Sequence, residues 1–185
     1  MPIYDSSHIE YTIDSGFVRL NLDNGEQIPA YWAYPQLGGK YPAIALLHDW
    51  WGVTAVVRRL ADSFAQGGYY VIVPDLFDER IAETPKDAIA LVEGLGERNG
   101  LARIYAAIDV VEQHHQTNRT TAVIGLGMGG SFAFDMAVDR GDVEAAVAFG
   151  GFPQRNFGRF KTCKTPLLAL YGKQDPHIAP PVLER

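Results

Sequence analysis

Residues Thr120 to Gly130 read Thr-Thr-Ala-Val-Ile-Gly-Leu-Gly-Met-Gly-Gly. The β-branched, apolar run Thr121–Ile124 predicts a buried strand. Gly125, Gly127, Gly129 and Gly130 then predict a sharp turn, with a helix expected from Ser131. Strand, glycine turn and helix together are the frame of a nucleophile elbow, G-x-S-x-G, which lifts an attacking side chain to the end of a sheet. Here the frame is Gly125-Leu126-Gly127-Met128-Gly129. The position for the attacking Ser or Cys holds Gly127.

The rest of the chain fits a sheet that such an elbow would crown. Ile9–Ile13, Phe17–Leu20 and Ile28–Tyr34 predict an antiparallel meander, with turns at Asp14-Ser15-Gly16 and Asp23-Asn24-Gly25. Ala43–Leu47, Tyr69–Val73, Ala145–Phe149 and Pro166–Tyr171 predict further strands. Val57, Leu60, Ala61, Phe64 and Ala65 recur at helical spacing, and Gly67-Gly68 ends that helix. Thr84-Pro85-Lys86-Asp87 reads as an N-cap, a first-turn proline and a capping acid, opening a helix through Ala88, Leu91, Val92 and Leu95. Leu101, Ile104, Tyr105, Ile108 and Val111 mark another. Strands alternating with helices predict a mostly parallel sheet covered on both faces. Sites in such sheets lie beyond the carboxyl ends of the strands. That points to the loops His48–Gly52, Asp75–Arg80, Leu126–Gly130, Gly150–Pro153 and Gly172–His177.

Charge and cysteine content narrow the partners. Lys plus Arg is 16 and Asp plus Glu is 22, a net charge of −6. That balance argues against nucleic acid and anionic membrane. The single cysteine, Cys163, leaves no internal disulfide or thiolate metal cluster and suits a reducing compartment. The first residues show neither a basic start nor an apolar core of a signal peptide, and no apolar run reaches membrane-spanning length. A cytoplasmic protein of one domain over residues 1–185 is expected, with no cofactor and no metal.

Four pieces in order resemble the dienelactone hydrolase family of α/β-hydrolases. They are His-Asp-Trp-Trp-Gly at 48–52, Val-Pro-Asp-Leu-Phe at 73–77, Gly-Leu-Gly-Met-Gly-Gly at 125–130 and Tyr-Gly-Lys-Gln-Asp at 171–175. The resemblance implies a three-layer α/β sandwich and hydrolysis of esters or lactones through Cys or Ser, His and Asp. It puts Asp175 at the triad acid, and Asp49 where many members carry a glutamate that orients the nucleophile. Trp50 and Met128 would offer oxyanion N–H groups. His48, Trp51, Arg80 and Phe152 would face the substrate, Arg80 lying near a substrate-carboxylate arginine of the family. Two departures stand against it: Gly127 in place of the nucleophile, and a family histidine whose loop, with the last strand and helix, falls past Arg185. The expected protein is a hydrolase homologue, impaired in hydrolysis, that retains a small-molecule pocket. Without the last strand, residues 167–171 would form an open edge, to be covered by the tail 178–185 or by a homodimer partner.

Several residues admit a plainer role. Trp50, Trp51 and Phe152 suit either a pocket lining or core packing. Ser131 sits about one turn below the elbow tip and reads as a packing residue. His48 reads as structural beside the site. His177 is too close to Asp175 to bridge acid and nucleophile. His114 and His115 suit a helix C-terminus better than a metal. Two rival functions remain. A non-standard nucleophile, or water activated by Asp49 or Asp175, would make the chain an active carboxylic-ester or lactone hydrolase without an elbow nucleophile. Gly125, Gly127 and Gly130 also fit G-x-G-x-x-G, a dinucleotide fingerprint, but the next strand ends in Gly150-Gly151 where that motif wants an acid.

Overall fold

The β-branched and small apolar runs of the sequence assemble into one seven-stranded sheet, in the order β1-β2-β4-β3-β5-β6-β7. The computed structural model describes residues 10–22 and 25–175. Strands β1 (Ile13–Asn21) and β2 (Gln27–Pro35) form an antiparallel hairpin, and β2 is antiparallel to β4 (Tyr70–Pro74). From there the sheet is parallel, through β3 (Tyr41–Leu47), β5 (Thr117–Leu126), β6 (Ala145–Phe149) and β7 (Leu167–Leu170).

Both faces of the central strands are covered, so Ala43–Leu47 and Tyr70–Pro74 are buried along their whole length. Helix α1 (Ala55–Gln66) presents Val57, Ala61 and Ala65 to one face, against Ile44, Leu46, Val71 and Val73. On the other face α2 (Pro85–Leu95), α3 (Glu97–Gln113) and α4 (Met128–Asp139) bury Leu91, Ile104, Ile108, Phe132 and Met136 against Ala43, Ala45, Ile72 and Val123. Thr54 caps α1. Thr84 and Asp87 close the expected capping box on α2. No helix of the described residues is long and apolar enough to cross a membrane.

Two expectations are corrected. Asp14-Ser15-Gly16 is not a turn: it lies inside β1, opposite Tyr34, Ala33 and Trp32. A nine-residue ladder overrides the local turn preference there, and Ile9 falls outside the described residues. Helix α4 opens at Met128, not Ser131, because Gly127 alone makes the bend and serves as its N-cap. The Asp23-Asn24-Gly25 turn is flanked by closing bonds, Leu22 N–H to Glu26 O at 2.8 Å and Gly25 N–H to Leu22 O at 2.9 Å, with Asp23 and Asn24 themselves not described.

Candidate active site

The site is built at the C-terminal end of β5, the central parallel strand between β3 and β6. Gly127 has φ +52° and ψ −110°, a conformation that a side chain occupies only under strain. Its N–H donates to Phe149 O at 2.8 Å, tying the bend to β6. The neighbouring glycines are there for another reason. A Cβ on Gly125 would stand 2.1 Å from Gly129 O, one on Gly129 would stand 2.3 Å from Leu47 O, and one on Gly130 would stand 2.7 Å from Gly150 O. Backbone passes backbone at each of them. On Gly127 the same atom would meet only Asp49 Cβ, at an ordinary 3.4 Å. The turn keeps the glycines its packing needs, and it keeps open the space where an elbow side chain would begin.

Helix α4 starts at this bend with no side-chain cap and no acid in its first turn. Its first N–H groups, beginning with Met128, have no intrahelical acceptor and form the positive end of the helix dipole. Across the bend, Asp49 accepts the Trp51 N–H at 2.9 Å. Trp50 and Trp51 are half-buried and pack edge to face, ring centroids 5.4 Å apart. Burial raises the Asp49 carboxyl above the usual carboxylate range, although the hydrogen bond from the Trp51 N–H opposes the shift. The native state therefore holds the Asp49 proton more tightly than the unfolded chain, and stability falls as pH rises from the ordinary carboxylate range through the native value. Asp49→Asn keeps an acceptor for Trp51 and removes the buried charge. A rise in Tm on the order of 2 °C at pH 7, vanishing near pH 4, is expected by calorimetry.

His48, which the family resemblance would turn to the substrate and its own sequence context reads as structural, is fully buried with both ring nitrogens engaged, Nδ1 at 2.7 Å from Asp49 O and Nε2 accepting Leu76 N–H at 3.1 Å. Arg80 is exposed, and its Nε donates to Phe77 O at 2.8 Å. Its loop lies on the Trp50–Gly52 segment: Ala82 N–H donates to Trp51 O at 3.1 Å, and a Cβ on Gly52 would stand 2.7 Å from Arg80 O.

On the β6 side, Ser131 ties the loop after β6 to α4, its Oγ accepting Phe152 N–H at 2.8 Å. Phe152 is 48% exposed and so is not part of the core. Asp175 follows β7, two strands along from the elbow, with its N–H on Gly172 O at 3.1 Å. His177 lies outside the described residues. His114 stands at the C-cap of α3, its ring centroid 4.7 Å from that of Tyr70, and burial holds it below the usual imidazole range.

Two supports were not foreseen. Buried Asp75 accepts the Phe77 and Glu79 N–H groups at 2.9 and 2.8 Å, fixing a loop in which Asp78 and Glu79 have positive φ. Its place in Val-Pro-Asp-Leu-Phe was the available signal. Buried Asp135 on α4 holds Arg155 Nε at 2.8 Å and Asn156 Nδ2 at 2.7 Å, securing the segment after Phe152; nothing in its local sequence singled it out. A cavity of about 610 Å³ lies elsewhere, along α3 beside Leu22, Ala106 and Val110, and none of its lining residues belongs to the elbow or to the loops around it.

Strand order, an elbow on the central parallel strand and a donor-bearing loop after β3 define an α/β-hydrolase. The chain belongs to the dienelactone hydrolase family, whose model matches residues 28–185. It is 27% identical to the protein usf of Aquifex pyrophilus over 164 residues, 84% of this chain and 70% of that one. It is 27% identical to a putative carboxymethylenebutenolidase of Escherichia coli over 181 residues, 90% of this chain and 66% of that one. The crystal structure of a putative dienelactone hydrolase from Klebsiella pneumoniae superposes with a TM-score of 0.79 at 25% identity, covering 94% of this chain and 78% of its own. The chain spans about two thirds of the length of these curated relatives. Nothing in these matches favours the dinucleotide alternative.

Proposed function

We propose that this chain keeps the small-molecule cleft of an ester or lactone hydrolase but is impaired in hydrolysis, because the elbow tip has no atom to attack with. The observation that carries the proposal is Gly127: it holds the strained bend of an elbow, with room for a side chain beside Asp49, and has none. Backbone donors at Met128 and Trp50 would still cradle a carbonyl oxygen, with Trp51, Phe152 and Arg80 along the opening. The proposal does not depend on where a histidine comes from, since a base without a nucleophile performs no acyl transfer. The single half-buried Cys163, with Sγ on Ala137 O at 3.1 Å, fits a reducing, cytoplasmic setting. Purified protein is expected to turn over p-nitrophenyl esters and lactones no faster than an oxyanion hole and binding alone permit, about 10³–10⁴-fold over water. Faster turnover that a pocket substitution abolishes would refute the impairment.

A second reading has one observation in its favour. Asp49 stands at the open space with its carboxyl raised by burial, so it would be placed to activate a water. Asp49→Ala and Asp175→Ala leaving any residual turnover unchanged would dispose of that route.

We also propose a homodimer across β7. Among the described residues this strand pairs only with β6, and Leu168 and Leu170 are 52% and 39% exposed. Light scattering is expected to report twice the chain mass. Leu168→Lys should shift it toward the monomer at micromolar concentration.

A further inference from the structure

Between the two loops that flank the elbow sits one ionisable ring that the chemistry above does not use. His48 follows β3, and its hydrogen bonds assign its protonation state without ambiguity. The Asp49 carbonyl only accepts, so the ring nitrogen 2.7 Å from it, Nδ1, carries the hydrogen. The Leu76 N–H only donates, so Nε2, 3.1 Å away, presents its lone pair. A proton on Nε2 would face an N–H and have no acceptor. The ring is fully buried with the Phe77 ring 5.0 Å from it, so it has no water to turn to.

We propose that His48 is the positioning residue of the cleft: its neutral form pins the Leu76–Arg80 loop to the Asp49–Gly52 loop, and a proton on Nε2 unpins them. The loop it holds is one that relaxes if released. Asp78 and Glu79 sit at φ +54° and +66°, uncommon for residues with side chains. They are kept there by Asp75, which accepts the Phe77 and Glu79 N–H groups, and by Arg103 of α3, bidentate to Asp78 at 2.7 and 3.2 Å. From that loop the coupling continues into the cleft through Ala82 N–H on Trp51 O, and through Gly52, which leaves no room for a Cβ against Arg80 O. The charged groups that face the ring are Asp49 on its own loop and Asp75 at the end of β4, with Arg103 behind the Asp75 carbonyl at 3.4 Å. Both acids favour the imidazolium, and burial outweighs them and holds the imidazole neutral.

The sign of the effect follows. The open state binds a proton near the ordinary imidazole value and the pinned state resists it. Pinning is therefore complete above about pH 6.5 and weakens as pH falls below it. The inference does not depend on whether the cleft hydrolyses anything. It is tested on the full chain by ¹⁵N shifts of the His48 ring and amide exchange between pH 7.5 and 5. A neutral Nδ1–H ring is expected at pH 7.5. The opening constant at Leu76, corrected for intrinsic exchange, should rise by up to about tenfold per pH unit below 6.5, while Ile72 and Val123 in the sheet stay protected. His48→Gln, whose amide oxygen replaces the Nε2 acceptor and does not titrate, should keep most of the Leu76 protection and lose its pH dependence. A ring that takes up a proton as ordinary histidine does while Leu76 stays protected would overturn the proposal. So would a pH step that survives in the glutamine variant, which would assign it to Asp49 or Asp75. If the variant does not fold, the measurements on the natural chain decide alone.

Discussion

Gly127→Cys is expected to fold, to be alkylated at residue 127 by iodoacetamide, and to form a thioester with p-nitrophenyl acetate that intact-mass measurement detects. The new Cβ meets only Asp49 Cβ at 3.4 Å, so the cost is conformational rather than steric. A side chain at φ +52° and ψ −110° costs about 1–3 kcal/mol, a Tm lower by roughly 2–12 °C. The thiol would stand at the positive end of α4, which favours its thiolate. Acylation at least about 10²-fold faster than turnover by the natural chain is expected, well inside the roughly 10⁶-fold that removing a nucleophile costs a serine protease. Peptide mapping separates the label from Cys163. A folded variant that neither alkylates nor acylates at 127 would show that the space beside Asp49 is not a reaction site, and the vacated-elbow interpretation would fall.

Gly125→Ala and Gly129→Ala should instead fail, each losing at least about 3 kcal/mol and leaving little folded protein. The offending contacts are with backbone: 2.1 Å to Gly129 O from position 125, and 2.3 Å to Leu47 O from position 129. Neither carbonyl can withdraw without parting α4 from β3 and β5. Gly127→Ala, carrying the same added methyl at a position with room, should stay within about 1–3 kcal/mol of the natural chain. Urea denaturation of the three variants decides between a turn that merely tolerates glycine and one that needs it at two of three places. Equal losses for all three would contradict the packing described.

How far residues alone revealed this molecule varies from element to element, and each case has a cause. The central strands were plain because burial on both faces writes an unbroken apolar run, as in Ala43–Leu47. The end of α1 and the start of α2 were plain because Gly67, and Thr84 with Asp87, act through local backbone bonds, whereas the Thr54 cap of α1 was not read. The hairpin was misread at Asp14-Ser15-Gly16, since pairing with β2 is a long-range effect that no local preference reports. The elbow itself was visible from its glycine spacing, but not that one glycine makes the bend while three allow backbones to touch. His48 shows the sharper limit. A structural place beside the site could be read for it, but its partner Leu76 is 28 residues away, and only the fold shows which backbone group it ties.

The two ends of the proposed site rest on ground of unequal firmness. Gly127 and Met128 hang from β5, which is paired on both sides by β3 and β6, and strands so held are in general the last to open. Asp175 hangs from β7, four residues long and paired on one side among the described residues. Warming should fray the Asp175 end first and leave the elbow end in place, so that a ligand held at both, as proposed, would lose one hold while the other remained.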